Sequence, residues 1–222
     1  MAPDDKSATN GISTDQPATI RRWSSVLALE LPAESSVLRE VRQLAGDRNV
    51  RISQIAEIAI QDPVTTLELI RGANATFFSG DKPAITTVQT AVIRLGSETL
   101  VRIFDSLAAR PPIEEPEIAR EMEKLRALSR RASIVSRILT SYTQRDIADV
   151  AQTTGLMAYY GHMIACAHFG FDYIEVVQQK RRNSVQYRLQ SDSGFDMASI
   201  HLEYLRKRGL PAALFYGLDR EL

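Results

Sequence analysis

The stretch IQDPVTTLELIRGAN, Ile60 to Asn74, decides the fold. Asp62 can accept from the free amides of a first helical turn, and Pro63 loses nothing at the first helical position, where no intrahelical partner exists for an amide. Val64, Leu67 and Ile70 follow at helical spacing, so the segment predicts a helix entered at Asp62-Pro63.

The same grammar extends outward on both sides. Upstream, Ser53 is expected to cap a helix with Ile55, Ile58 and Ala59 on one face. Downstream, Thr87 can cap a segment carrying Val88, Ala91, Val92 and Leu95, and Gly96 suits a left-handed exit. Ser97 opens another stripe of Leu100, Val101, Phe104, Leu107 and Ala108. The three prolines between Arg110 and Pro116 must then break the pattern. A long helix is expected from about Pro116 to Tyr142, with Met122, Leu125, Ala132, Val135 and Leu139 turned inwards. The segment from Asp146 to Phe169 is apolar on most sides, as a surrounded central helix would be. Shorter helices are expected over 171–182, 184–190 and 196–208, and Gly209-Leu210-Pro211 ends one helix and starts a short last one. Neither β-hairpin signals nor solenoid repeats occur. The expected fold is all-α, a compact multi-helix domain of two packed sub-domains, about 21–110 and 116–222. Residues 1–20, poor in large apolar side chains, are expected to form a disordered leader.

Composition narrows the function classes. The 222 residues carry 27 Lys+Arg against 27 Asp+Glu, which argues against binding driven by a strong overall positive field. The single cysteine, Cys166, allows no intramolecular disulfide and reads as a small core residue. The N-terminus lacks the pattern of a secretory signal, and no apolar run is long enough to span a membrane. A cytoplasmic location is the expectation.

Three blocks carry a resemblance. Ile60 to Pro63, Leu67 to Asn74 and Phe77-Phe78-Ser79-Gly80 resemble the pattern of the HDOD domain, the HD-related output domain of bacterial signalling proteins. Ile85 to Gly96 is similar to that family's I-T-S-I-x-x-A-I-x-x-L-G segment. Gly209-Leu210-Pro211 is similar to its closing W-G-L-P, with Arg208 in place of Trp. The residues Asp62, Pro63, Asn74, Phe77, Phe78, Gly80 and Gly96 are family positions, readable either as structural or as a partner-binding face.

The resemblance implies a distant relation to HD phosphohydrolases, whose His and Asp side chains hold a metal that activates water. The family's central helix often reads G-L-L-H-D-I-G-K; here it reads Gly155-Leu156-Met157-Ala158-Tyr159-Tyr160-Gly161-His162. Ala158 and Tyr159 stand where His and Asp would be. The upstream family His falls near Leu128, and a later one falls at Met197, beside Asp196. Neither Ala nor Met offers a hard donor, and Tyr is a poor substitute for a carboxylate. No catalytic residue, metal ligand or cofactor is therefore expected. Tyr159 and Tyr160 either fill the vacated pocket or line a remaining cleft. His162 and His168, roughly 240° apart on one helix, are not a chelating pair.

Arg126, Arg130 and Arg137 lie near one face of the long helix. They read either as a phosphate or partner patch, or as a solvated face paired with acids such as Glu121 and Glu123. The leading expectation is a non-catalytic regulatory protein acting on an unknown signalling protein. A nucleotide or nucleic-acid sensor using the arginines is the alternative, and a residual metal-dependent phosphohydrolase the third reading. A homodimer is allowed, although no heptad seam marks one.

Overall fold

A computed structural model of the protein describes residues 23–46, 50–75, 83–179 and 182–214. The expected leader therefore lies outside the described residues. In chain order the helices are α1 (Ser24–Leu27), α2 (Ser35–Gly46), α3 (Ile52–Ala59), α4 (Pro63–Ala75), α5 (Val88–Ala108) and α6 (Pro116–Thr143). They continue as α7 (Ala148–Met157), α8 (Tyr160–Phe169), α9 (Phe171–Gln178), α10 (Arg182–Ser193) and α11 (Met197–Lys207). Among the described residues no strand occurs, and the fold is all-helical.

Local chemistry sets the helix boundaries. At α4, the Asp62 carboxylate accepts from Thr65 N at 2.8 Å and from the Thr65 hydroxyl at 2.7 Å, with Pro63 first in the helix. At α5, the Thr87 hydroxyl accepts from Thr90 N. Gly96 interrupts α5 with φ +70° and ψ 165°, so two helical segments meet at a kink there; a side chain would be strained at that φ. The start of α3 differs from expectation. Its N-cap is Arg51, not Ser53, and the Gln54 side chain accepts from Arg51 N at 3.1 Å. The amide oxygen of Gln54 thus reaches back from the third helical position to satisfy the N-cap amide, the reciprocal half of a capping box.

The apolar run from Asp146 to Phe169 is likewise two helices rather than one. It breaks at Ala158-Tyr159, between α7 and α8. Periodicity could not show this, because both helices are apolar on most sides and the run has no proline to mark the break.

Helices α2 to α5 pack mainly on one another, and α6 to α11 form a second group, with α6 along α7 and α8, and α11 against α8. Helix α4 reaches across to α6 and α7. One contiguous core joins both groups. Helix α1 packs on α11, and Trp23 meets the rings of His168, Phe169 and Phe195 edge-on. The first helix thus lies with the second group, unlike the division expected near residue 110.

Between α1 and α2, residues 29–34 form a strap without regular structure, held by side chains from distant elements. Arg208 and the Tyr204 hydroxyl donate to Leu29 O, Arg110 donates to Leu31 O at 2.9 Å, and Arg126 donates to Pro32 O at 2.6 Å. An extended segment has no partners of its own for these carbonyls, and burying them unpaired would cost about 1–3 kcal/mol each.

Candidate functional site

The region of interest is the α7–α8 junction, where the resemblance would put a metal. Ala158 and Tyr159 form the two-residue break and Tyr160 opens α8. Tyr160 is fully buried, its ring against Tyr204 with centroids 5.5 Å apart. Burial pushes its phenol well above the ordinary range, so it is a neutral group. Tyr159 is half-buried and lies against the His162 ring at 5.8 Å. His162 Nδ1 and the Tyr173 hydroxyl are 2.9 Å apart and share a hydrogen bond. Of the two tyrosines, then, one is core and one borders a histidine.

The other two expected ligand positions are occupied by non-ligands. Met197 is buried at the start of α11, where Asp196 caps the helix by accepting from Ser199 N and from the Ser199 hydroxyl. Leu128 packs against the core on α6, next to buried Ser129. Among the described residues no three His, Cys, Asp or Glu side chains converge in a metal-holding group. The residues at the family's ligand positions do not fit a divalent ion: Leu128, Ala158, Tyr159 and Met197 offer alkyl, phenol and thioether groups, and the neighbouring His162 imidazole is bonded to Tyr173.

The structure adds His201 to the surroundings of the junction. It sits on α11 against Gly161, so close that a Cβ on that glycine would lie 2.8 Å from the His201 Cβ. Burial drives its imidazole pKa down to about 4, the nearby His162 pushes the same way, and a hydrogen bond to the Met157 backbone opposes them. Its Nε2 has no hydrogen-bond partner among the described residues. His201 is thus a neutral core histidine at neutral pH. The signal that could have found it is the small Gly161, which permits close approach of α11 to α8.

The arginines separate. Arg126 is buried, its Nε 3.4 Å from Asp62 and its Nη2 on Pro32 O. Arg130 pairs with Glu34 and, at 2.7 Å, with Glu123. Arg137 pairs with Asp149 at 3.3 Å. Each arginine is engaged by acids, with Glu123 shared between Arg126 and Arg130, so the arginines do not form one open patch. The reason is the strap and the acids of neighbouring elements, which periodicity on α6 alone could not reveal.

Of the family positions, Asp62 and Pro63 make the α4 cap. Asn74 closes the next loop: its Nδ2 donates to Ile70 O at 2.8 Å and Ile85 O at 2.9 Å, and its Oδ1 accepts from Ile85 N at 3.0 Å. Gly96 makes the kink. Phe77, Phe78 and Gly80 lie outside the described residues. The sequence reading missed Glu68, a carboxylate inside the apolar run of α4, which meets Arg110 at 2.7 Å and Arg71 at 3.0 Å. Its position between Leu67 and Leu69 was the available signal. Cys166 is buried on α8 and its thiol is pushed up to about 12, so it is no nucleophile at neutral pH.

The backbone resembles solved structures of bacterial proteins. One is the MmoQ response regulator of Methylococcus capsulatus str. Bath, at TM-score 0.73 and 18% identity, covering 88% of this chain and 79% of that one. Another is a virulence factor (cj0248) of Campylobacter jejuni subsp. jejuni, at TM-score 0.66 and 15% identity, covering 90% of this chain and 72% of that one. At these identities the likeness is one of fold. No curated protein matches the chain. The HDOD domain model matches residues 31–216, and this chain belongs to the HDOD domain family.

Proposed function

We propose that this chain is a non-catalytic regulatory protein of bacterial signal transduction, acting in the cytoplasm by contact with another protein. The observation that carries this reading is the α7–α8 junction. Ala158 and Tyr159 occupy the turn where the related hydrolases hold their metal, with Tyr160 buried behind them. Neither residue supplies an imidazole or carboxylate ligand, so these two positions cannot hold the ion that lowers the pKa of a bound water. The likeness to a protein described as a response regulator supports a place in signalling. The three arginines give little support to the nucleic-acid alternative, since each is already paired with an acid. Phosphate contacts would have to displace those partners.

The test is turnover of a chromogenic phosphodiester by the purified full-length chain with added Mn²⁺, Fe²⁺ or Mg²⁺. The expected result is a rate equal to the metal-free control. Metal-dependent turnover that co-purifies with the protein would overturn the reading.

A further inference from the structure

The long helix α6 has two faces of different character. Its buried face carries Met122, Leu125, Arg126, Ser129 and Ser133. On the opposite face, Ile134 is 55% exposed, Val135 53%, Ile138 50%, Leu139 62% and Tyr142 86%. The expectation that Val135 and Leu139 turn inwards is therefore wrong. The core face of α6 is set by residues 122 to 133, and at 3.6 residues per turn the positions 134, 135, 138, 139 and 142 fall about 180° away.

Solvation does not account for this stripe. On the first half of the same outward face stand Glu117, Arg120, Lys124 and Arg131, as a solvated helix requires, and then the charges stop. Five large apolar side chains in succession present on the order of 600 Å², at the upper end of what monomers leave open and close to the ~800 Å² per partner of a standard interface. Val135 and Tyr142 stand seven apart with Ile138 between them, the a/d spacing that meets another helix by knobs-into-holes packing.

We propose that this face seats the same face of a second copy across a two-fold axis. Area and self-matching apolar chemistry give the occupant: a two-fold axis lays one apolar patch on the same patch of its copy. This dimer is independent of whether the α7–α8 junction is catalytic.

Sedimentation velocity of the full-length chain from ~1 to ~100 μM tests it, because mass action makes a dimer concentration-dependent. The expected result is a monomer–dimer equilibrium that the double variant Ile138→Glu/Leu139→Glu weakens by about 100-fold or more, with an unchanged thermal midpoint at concentrations where the wild type is monomeric. A wild-type chain monomeric throughout, its stripe covered by its own residues 1–22 or 215–222 or by a different protein, overturns the proposal. So does a dimer that survives the double glutamate variant.

Discussion

The Arg126 guanidinium on α6 lies 3.4 Å from the Asp62 carboxylate that caps α4, and both side chains are buried. Burial pushes the Asp62 carboxyl up, while Arg126 and the bonds from Thr65 pull it down. Replacing Arg126 with Met leaves that carboxylate desolvated without a counter-charge and also frees Pro32 O. The expected loss is about 3–5 kcal/mol. Asp62→Asn/Arg126→Met is expected to cost clearly less than the two single changes combined, since Asn keeps the cap and removes the stranded charge. Urea denaturation of the four proteins measures this coupling. Additive losses would show that the pair does not interact.

His201 makes stability depend on pH. Its folded pKa of about 4 lies below the ordinary 6.5, so on acidification the unfolded chain takes up a proton first. Stability is then fully present above 6.5, falls as the pH drops towards 4, and levels off below that. At pH 5 the loss from this residue is about 2 kcal/mol. Asp62 has the opposite sign: its raised carboxyl keeps a proton that the unfolded chain has already released, just above 3.8. Denaturation at pH 7.5 and 5.0, with NMR titration of the His201 ring, checks the sign. A ring that protonates near 6.5 would refute it.

How far the sequence could be read follows from the range of each signal. Asp62-Pro63, Thr87 and Gly96 act within one helical turn, and the structure has the cap or kink expected at each. The Ala158-Tyr159 substitutions were also legible, because they are identities at a fixed place in a pattern. What was not legible depends on distant partners. Arg126, Arg130 and Arg137 look alike on a helical wheel, yet their acids come from α4, the strap, α6 itself and α7. Val135 and Leu139 share the residue types of the core positions Met122 and Leu125, and only the neighbours of α6 decide which face is covered. The burial of His201 was not legible either, because sequence separation hides the α8–α11 contact.

Asn74 holds residues at both ends of the 75–84 connection, accepting from one amide and donating to two carbonyls. Asn74→Asp keeps the shape and the acceptor but loses both donations and brings a charge towards two carbonyl oxygens. The expected cost is about 2–3 kcal/mol. Asn74→Asp should also speed hydrogen exchange at the Ile85 amide. An unchanged midpoint in urea would show that the bonds contribute nothing net.

Two glycines separate a backbone clash from a side-chain one. Gly155 lies where α7 crosses α6, and a Cβ there would meet Ser136 Oγ at 2.6 Å and the Ala132 carbonyl oxygen at 2.7 Å. The carbonyl belongs to a helix that cannot move without disturbing the core. Gly155→Ala is therefore expected to destabilise by about 1–3 kcal/mol, outweighing the ~1 kcal/mol that alanine gains in helix propensity. At Gly72, on α4, the nearest atom to a new Cβ is Ile103 Cδ1 at 2.9 Å, the far end of a flexible side chain. Rotation of that methyl relieves the contact, so Gly72→Ala should be near neutral or stabilising. Thermal unfolding of the two variants side by side decides the point. If Gly155→Ala melts at or above the wild type, the α6–α7 crossing is looser than the 2.7 Å approach implies.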